Sequence, residues 1–177
     1  MLSNLKGAGR VAVSSFLRTS SRRATPVRRM AEDAAAATGP IPTKLTFNFL
    51  APHQAIASKQ EVDMVIVPGA SGVFGVLPGH VPTISELKPG VVEVTKAPGD
   101  VAKYFVSSGF AFIHANSTLD LCTVEAVPLE DLDPAAVSSG KTDAEAELSR
   151  ATDEVGKAKA QIALDVYTAM AEALAAK

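Results

Sequence analysis

The sequence predicts a mainly β fold with an α addition: an N-terminal antiparallel β-sandwich followed by a C-terminal antiparallel α-helical hairpin. Two observations carry this expectation. From Lys44 to about Val127 the chain runs as short strand-like stretches separated by turn signals, with no helical segment between them. Beyond Asp133-Pro134 the apolar period lengthens to that of a helix and alanine becomes abundant.

In the first part, Leu45, Phe47 and Phe49 alternate with Thr46 and Asn48, the period of a half-buried strand. Val62, Met64 and Ile66 alternate next, and the interleaved Val65 and Val67 predict deeper burial there. Further strands are expected at Val91–Thr95, Lys103–Ser107, Phe110–His114 and Thr118–Val127. Lys88-Pro89-Gly90, Pro98-Gly99-Asp100 and Ala115-Asn116-Ser117 separate them. Pro98-Gly99 suits the central positions of a type II turn, where proline presets φ and glycine accepts a positive one.

In the second part, Asp133 can accept bonds from free backbone amides, and Pro134 suits the first helical position. Ala144, Leu148, Ala151 and Val155 follow at helical spacing, then Ile162, Val166, Met170 and Leu174. Thr152-Asp153 or Gly156 is the expected joint. Gly140 weakens the first helix, at about 1 kcal/mol relative to alanine. Helices that face each other through alanine approach closely but bury little area, so this hairpin needs a surface to dock on.

Charge divides the chain in another way. The formal net charge of −2 over 177 residues is an average of two opposite segments. Residues 1–30 hold Lys6, Arg10, Arg18, Arg22, Arg23, Arg28 and Arg29, five serines and no acid, the composition of an organellar transit peptide. A secretory signal needs an unbroken apolar stretch, which Ser14 and Ser15 interrupt. Arg29 stands two residues before Ala31, so the mature chain is expected to begin near Ala31. The expected organisation is a transit segment at 1–30, a flexible lead-in at 31–43, the sandwich at 44–128 and the hairpin at 129–177.

Without its first 30 residues the chain keeps 10 basic residues against 19 acidic ones, a net charge of −9, which disfavours non-specific binding to nucleic acid. No stretch is long and apolar enough for a transmembrane helix. Hydrophobic residues make up 47% of the chain, enough for a core, although 30 of them are alanine.

Catalytic and metal signatures are sparse. His53, His80 and His114 lack metal-ligand spacing, and His114 is expected to be a hydrogen-bonded structural residue. The lone Cys122 lies in an apolar run and is expected to be a small core residue. Glu130, Asp131, Asp133, Asp143, Glu145 and Glu147 fit a solvated face. Gly69, Gly72 and Gly75 are not followed by the lysine and helix start of a phosphate loop, so they are expected to serve tight loop conformations. No catalytic residue, metal ligand or cofactor site is expected.

The string from Val62 to Pro82, V-x-x-V-x-V-P-G-x-x-G-x-F-G-V-L-x-x-H-x-P, resembles the central-stalk subunit of F-type ATP synthases, called delta in mitochondria and epsilon in bacteria and chloroplasts. The match continues through Leu87-Lys-Pro-Gly-Val-Val-Glu-Val94 and Tyr104-Phe-Val-Ser-Ser-Gly-Phe110 into the alanine-rich hairpin. The transit segment points to the mitochondrial form. The resemblance implies a non-catalytic rotor part at the foot of the gamma subunit. Its implied partners are the c-subunit ring and the small mitochondrial epsilon subunit, and it lies peripheral to the matrix side of the inner membrane.

By the same resemblance, Ser71, Gly72, Val73 and Phe74, with the turn around His80, match the region that faces the c-ring loops. Bacterial members often carry an acid where Val73 stands, so apolar or backbone contact is implied here. The alternative is a regulatory subunit whose hairpin inhibits ATP hydrolysis or senses nucleotide through an I/L-D-x-x-R-A motif. Arg150 and Ala151 keep that motif, whereas Glu147 replaces its Asp and Ala146 its leading Ile or Leu, which argues against nucleotide binding.

Overall fold

The computed structural model describes residues 42–176. The strands are β1 (Leu45–Ala51), β2 (Gln54–Val62), β3 (Met64–Gly69), β4 (Gly72–Val76), β5 (Thr83–Leu87), β6 (Gly90–Ala97), β7 (Asp100–Val106), β8 (Gly109–Ile113), β9 (Thr118–Thr123) and β10 (Ala126–Pro128). A 3-10 turn (Leu129–Asp131) leads into helices α1 (Pro134–Arg150) and α2 (Glu154–Ala175). The expected transit segment and nearly all of the lead-in lie outside the described residues.

The strands form one sheet in the order β10-β7-β6-β3-β5-β8-β9-β1-β2, with β4 hairpinned onto β3. Between β3 and β5 only Gly69 and Leu87 pair. At this narrow joint the sheet folds over, so its two halves face each other and β2 comes back against β6. Their inner faces share one core: Val65, Val67, Val92 and Val94 from one half meet Phe47, Phe49, Ala111, Leu119 and Leu121 from the other. Phe49 meets Tyr104 edge-on across the layers, ring centroids 5.4 Å apart. The β-sandwich and the C-terminal helices agree with the expected fold class. Among the described residues the one parallel pairing is β1 with β9, open to strands that lie far apart in sequence.

Several elements differ from expectation. Val62 does not share a strand with Met64 and Ile66: Asp63 bends the chain between β2 and β3. Its carboxylate takes a hydrogen bond from Lys44, and its amide donates to Thr95 at 2.8 Å. The break resets the alternation, so Val65 and Val67 are buried while Met64 and Ile66 are only half-buried. Cys122 is half-buried rather than a core residue, because its neighbours Leu121 and Thr123 take the inward positions of β9. The glycine-rich string is mostly a hairpin: Gly69 pairs with Gly72 around Ala70-Ser71, and Gly75 lies within β4 rather than in a tight loop. At Pro98-Gly99 the expected turn forms, with Ala97 paired to Asp100 and Gly99 at φ 85°.

The helices begin as their caps dictate. Asp133 accepts from the Ala135 amide and Asp153 from the Gly156 amide, each at 2.9 Å. They end and restart at Ala151–Asp153, the first of the two expected joints. Their buried positions are Val137, Ala144, Ala160 and Ala173. Val155 and Ile162, expected on the facing stripe, are instead 64% exposed, since helices in contact through alanine leave no room for larger chains between them. Gly140 is a socket as well as a weak point: a Cβ there would meet the Tyr167 ring at 2.4 Å. The docking surface of the hairpin is a second apolar cluster. Ala173, with Val166, Ala169 and Met170, packs against Phe105, Val91, Leu129 and Leu132.

Candidate functional site

The residues that resemble a ring-facing region occupy the β3–β4 hairpin and the loop from Leu77 to Pro82. Ser71 is exposed in the hairpin turn, and Val73 is 66% exposed on the outer side of β4. Phe74 alternates to the other side and packs partly against the core. The His80 ring lies 6.2 Å from that of Phe74. The structure therefore brings Phe74 and His80 together, whereas Val73 points away from both. Gly72 pairs with Gly69 and shapes the turn.

Sequence reasoning missed what the loop presents and what holds it. Leu77 and Val81 are 52% and 68% exposed. The loop is closed by the His80 amide donating to Leu77 O at 3.1 Å, and both His80 Nδ1 and the Thr83 hydroxyl meet Val81 O. The Gly79 amide donates to Ser117 Oγ at 2.8 Å, across 38 residues of sequence. Nothing local to Asn116-Ser117 distinguishes it from an ordinary turn.

A second apolar surface lies on the outer face of β5, β8, β9 and β1. Ile84 pairs with Phe112, Phe110 with Cys122, and Cys122 with Leu50, so all share that face. Ile84 and Phe110 are 72% and 50% exposed. The signal was present in the sequence: Phe110-Ala-Phe-Ile113 is apolar at both parities, as in a strand covered on both faces. A polar chain crosses the same face, with Asn48 Nδ2 donating to Asp120 Oδ1 at 2.6 Å and His114 Nε2 meeting Asp120 Oδ2 at 2.8 Å. His114 is thus hydrogen-bonded, just past the end of β8.

The remaining candidates are dispersed. Glu147 and Arg150 are exposed near the end of α1, with Ala151 at its cap. None of the three lines the open groove of about 550 Å³ between the Lys88-Pro89 turn and the helices, where Lys88 and Lys141 face Glu145, Asp165 and Glu172. The acids flagged in the sequence are all exposed. Among the described residues no group of three His, Cys, Asp or Glu is close enough to hold a metal ion, and no helix is long and apolar enough to cross a membrane.

A sandwich with exposed apolar side chains on a pinned loop and on an outer sheet face, carrying a thin hairpin, presents surfaces of the kind that dock on other chains. Residues 44–127 match the β-sandwich domain of the ATP synthase delta/epsilon chain. The mitochondrial ATP synthase subunit delta' of Ipomoea batatas is 53% identical over 76% of this chain, which spans 66% of that relative's length. The mitochondrial delta subunit of Yarrowia lipolytica is 39% identical over 89% of this chain and 96% of its own. A chain in the structure of Euglena gracilis mitochondrial ATP synthase, comprising OSCP, F1 and the c-ring, is 31% identical with a TM-score of 0.72, covering 77% of this chain and 85% of that one. The chain belongs to the ATP synthase delta/epsilon family.

Proposed function

We propose that the chain is a non-catalytic rotor subunit of mitochondrial F-type ATP synthase, coupling c-ring rotation through the gamma subunit to ATP synthesis. Its place is peripheral, on the matrix side of the inner membrane, with gamma, the c-ring and the small epsilon subunit as partners. The ring-facing surface is the segment from Ser71 to Pro82. The observation that carries this reading is the likeness, over most of both chains, to a component of an assembly that contains F1 and the c-ring. The exposed Val73, Leu77 and Val81 supply apolar contact where no charge is available.

The physical task is torque transmission, which needs stiffness and broad interfaces rather than a reactive group. A close-packed core such as that around Phe47, Phe49 and Leu121 resists compression and shear. The hairpin, whose own contacts are mostly alanine, gains burial by docking on Phe105 and Leu129 and leaves Val155 and Ile162 for partners. Residues 1–30 act as the transit segment, with the mature protein starting near Ala31.

Purification of the inner-membrane ATP synthase tests the reading. The chain is expected in the complex, and its deletion should uncouple proton flow from synthesis without removing nucleotide-hydrolysing residues. A chain that stays outside the complex, or whose deletion leaves coupling intact, would refute the proposal.

A further inference from the structure

The loop that carries Leu77 and Val81 is held from outside itself. Ser117 is 3% exposed, and its backbone is fixed on both sides: its amide donates to His114 O at 3.2 Å, and its carbonyl accepts from the Thr46 amide at 3.0 Å. That backbone sits at φ 60°, in the left-handed region that a side chain disfavours. Glycine would occupy it with less strain. What serine adds is an oxygen, and that oxygen accepts the Gly79 amide at 2.8 Å. Gly79 is itself at φ 78°, midway along the loop.

We propose that Ser117 is a positioning residue for ring contact, its hydroxyl latching the 77–82 loop to the β8–β9 turn so that Leu77 and Val81 are presented in one fixed conformation. This rests on the reading of that loop as ring-facing. The latch acts through Gly79 and touches no partner. Fixing the loop before contact removes the ordering cost that a mobile loop would meet on binding. It also links the loop to β1, because the Thr46 bond holds the same residue in place. A sideways load on Leu77 or Val81 therefore passes into the sandwich rather than being dissipated in the loop.

Two variants separate the hydroxyl from the backbone. Ser117→Gly removes the oxygen and relieves the left-handed φ, while Ser117→Ala removes the oxygen and keeps the backbone cost. In the assembled enzyme, amide exchange at Gly79 and His80 should accelerate about tenfold in both, the scale of one hydrogen bond. The thermal midpoint of the Ser117→Gly chain should stay at or above that of wild type. A photo-reactive residue replacing Val81 should cross-link to the c subunit in the wild-type background, with the yield reduced severalfold by either Ser117 variant.

Wild-type cross-linking with exchange and yield unchanged in both variants would overturn the latch and leave the ring-facing reading standing. Absence of any c-subunit cross-link in the wild-type background would overturn that reading and the proposal with it. Accelerated exchange in Ser117→Ala alone would assign the effect to backbone strain and also overturn the latch.

Discussion

Replacing Gly109 by alanine should unfasten β8 from β9. Gly109 pairs with Thr123, and a Cβ at this position would lie 2.3 Å from the Cys122 carbonyl oxygen and 2.8 Å from Thr123 Cα. Both atoms are backbone, so no side chain can swing aside. Normal contact begins near ~3.5 Å, so the strands must separate by about 1 Å at the end of the ladder. Overpacking of this kind costs roughly 1–3 kcal/mol, and one weakened ladder bond adds about 1 kcal/mol. A total of about 2–4 kcal/mol is a large share of the roughly 5–15 kcal/mol that holds a domain together. With a urea slope of about 2 kcal/mol per M, the midpoint should fall by about 1–2 M. Gly75→Ala is the matched control, because its Cβ meets only Met64 Sδ at 3.6 Å, an ordinary contact. That variant should lie within ~0.5 kcal/mol of wild type or gain slightly from a stiffer unfolded chain. Equal midpoints for the two variants would refute the reasoning.

Two further changes test the core and the hairpin. The Thr123 hydroxyl is buried with no hydrogen-bond partner among the described residues, so Thr123→Val should stabilise by about 1 kcal/mol; a calorimetric midpoint that does not rise would contradict this. Gly140→Ala should improve α1 by about 1 kcal/mol of propensity yet expel the Tyr167 ring, for a net loss of about 1 kcal/mol. Tyrosine emission in a Tyr104→Phe background, where Tyr167 alone reports, should then shift toward that of an exposed ring, and an unchanged signal with a raised midpoint would sink the idea.

What could be read from the sequence depended on whether a strand has one wet face. β1 and β6 lie close to their expected positions because polar residues mark the outer parity, as Thr46 and Asn48 do beside Leu45, Phe47 and Phe49. β2 was missed because it lies at the end of the sheet order, carries mostly small and polar residues, and is irregular at Lys59, where φ is 49°. β4 hid inside the string, where its glycines suggested tight loops, and β5 follows directly on the string's last proline. In the helices the i, i+4 pattern singled out Ile162, whereas the structure buries Ala160 and Ala173, because small size rather than hydrophobicity decides a close helix contact. The segment proposed to face the ring stands out in the sequence as an ordered string. Its holding residue does not, because a bond between positions 79 and 117 leaves no local trace.

The parallel pairing of β1 with β9 has a consequence for how the chain is born. Leu45–Ala51 emerges or is threaded early, yet its companion Thr118–Thr123 arrives only some 70 residues later. Until then the stretch LTFNFLA, with both phenylalanines destined for the core, has only the edge strand β2 to pair with. Such long-range closure slows folding and leaves an adhesive segment open to wrong associations. In any vectorial delivery, N-terminus first, this segment therefore stays without its parallel partner until β9 has come through.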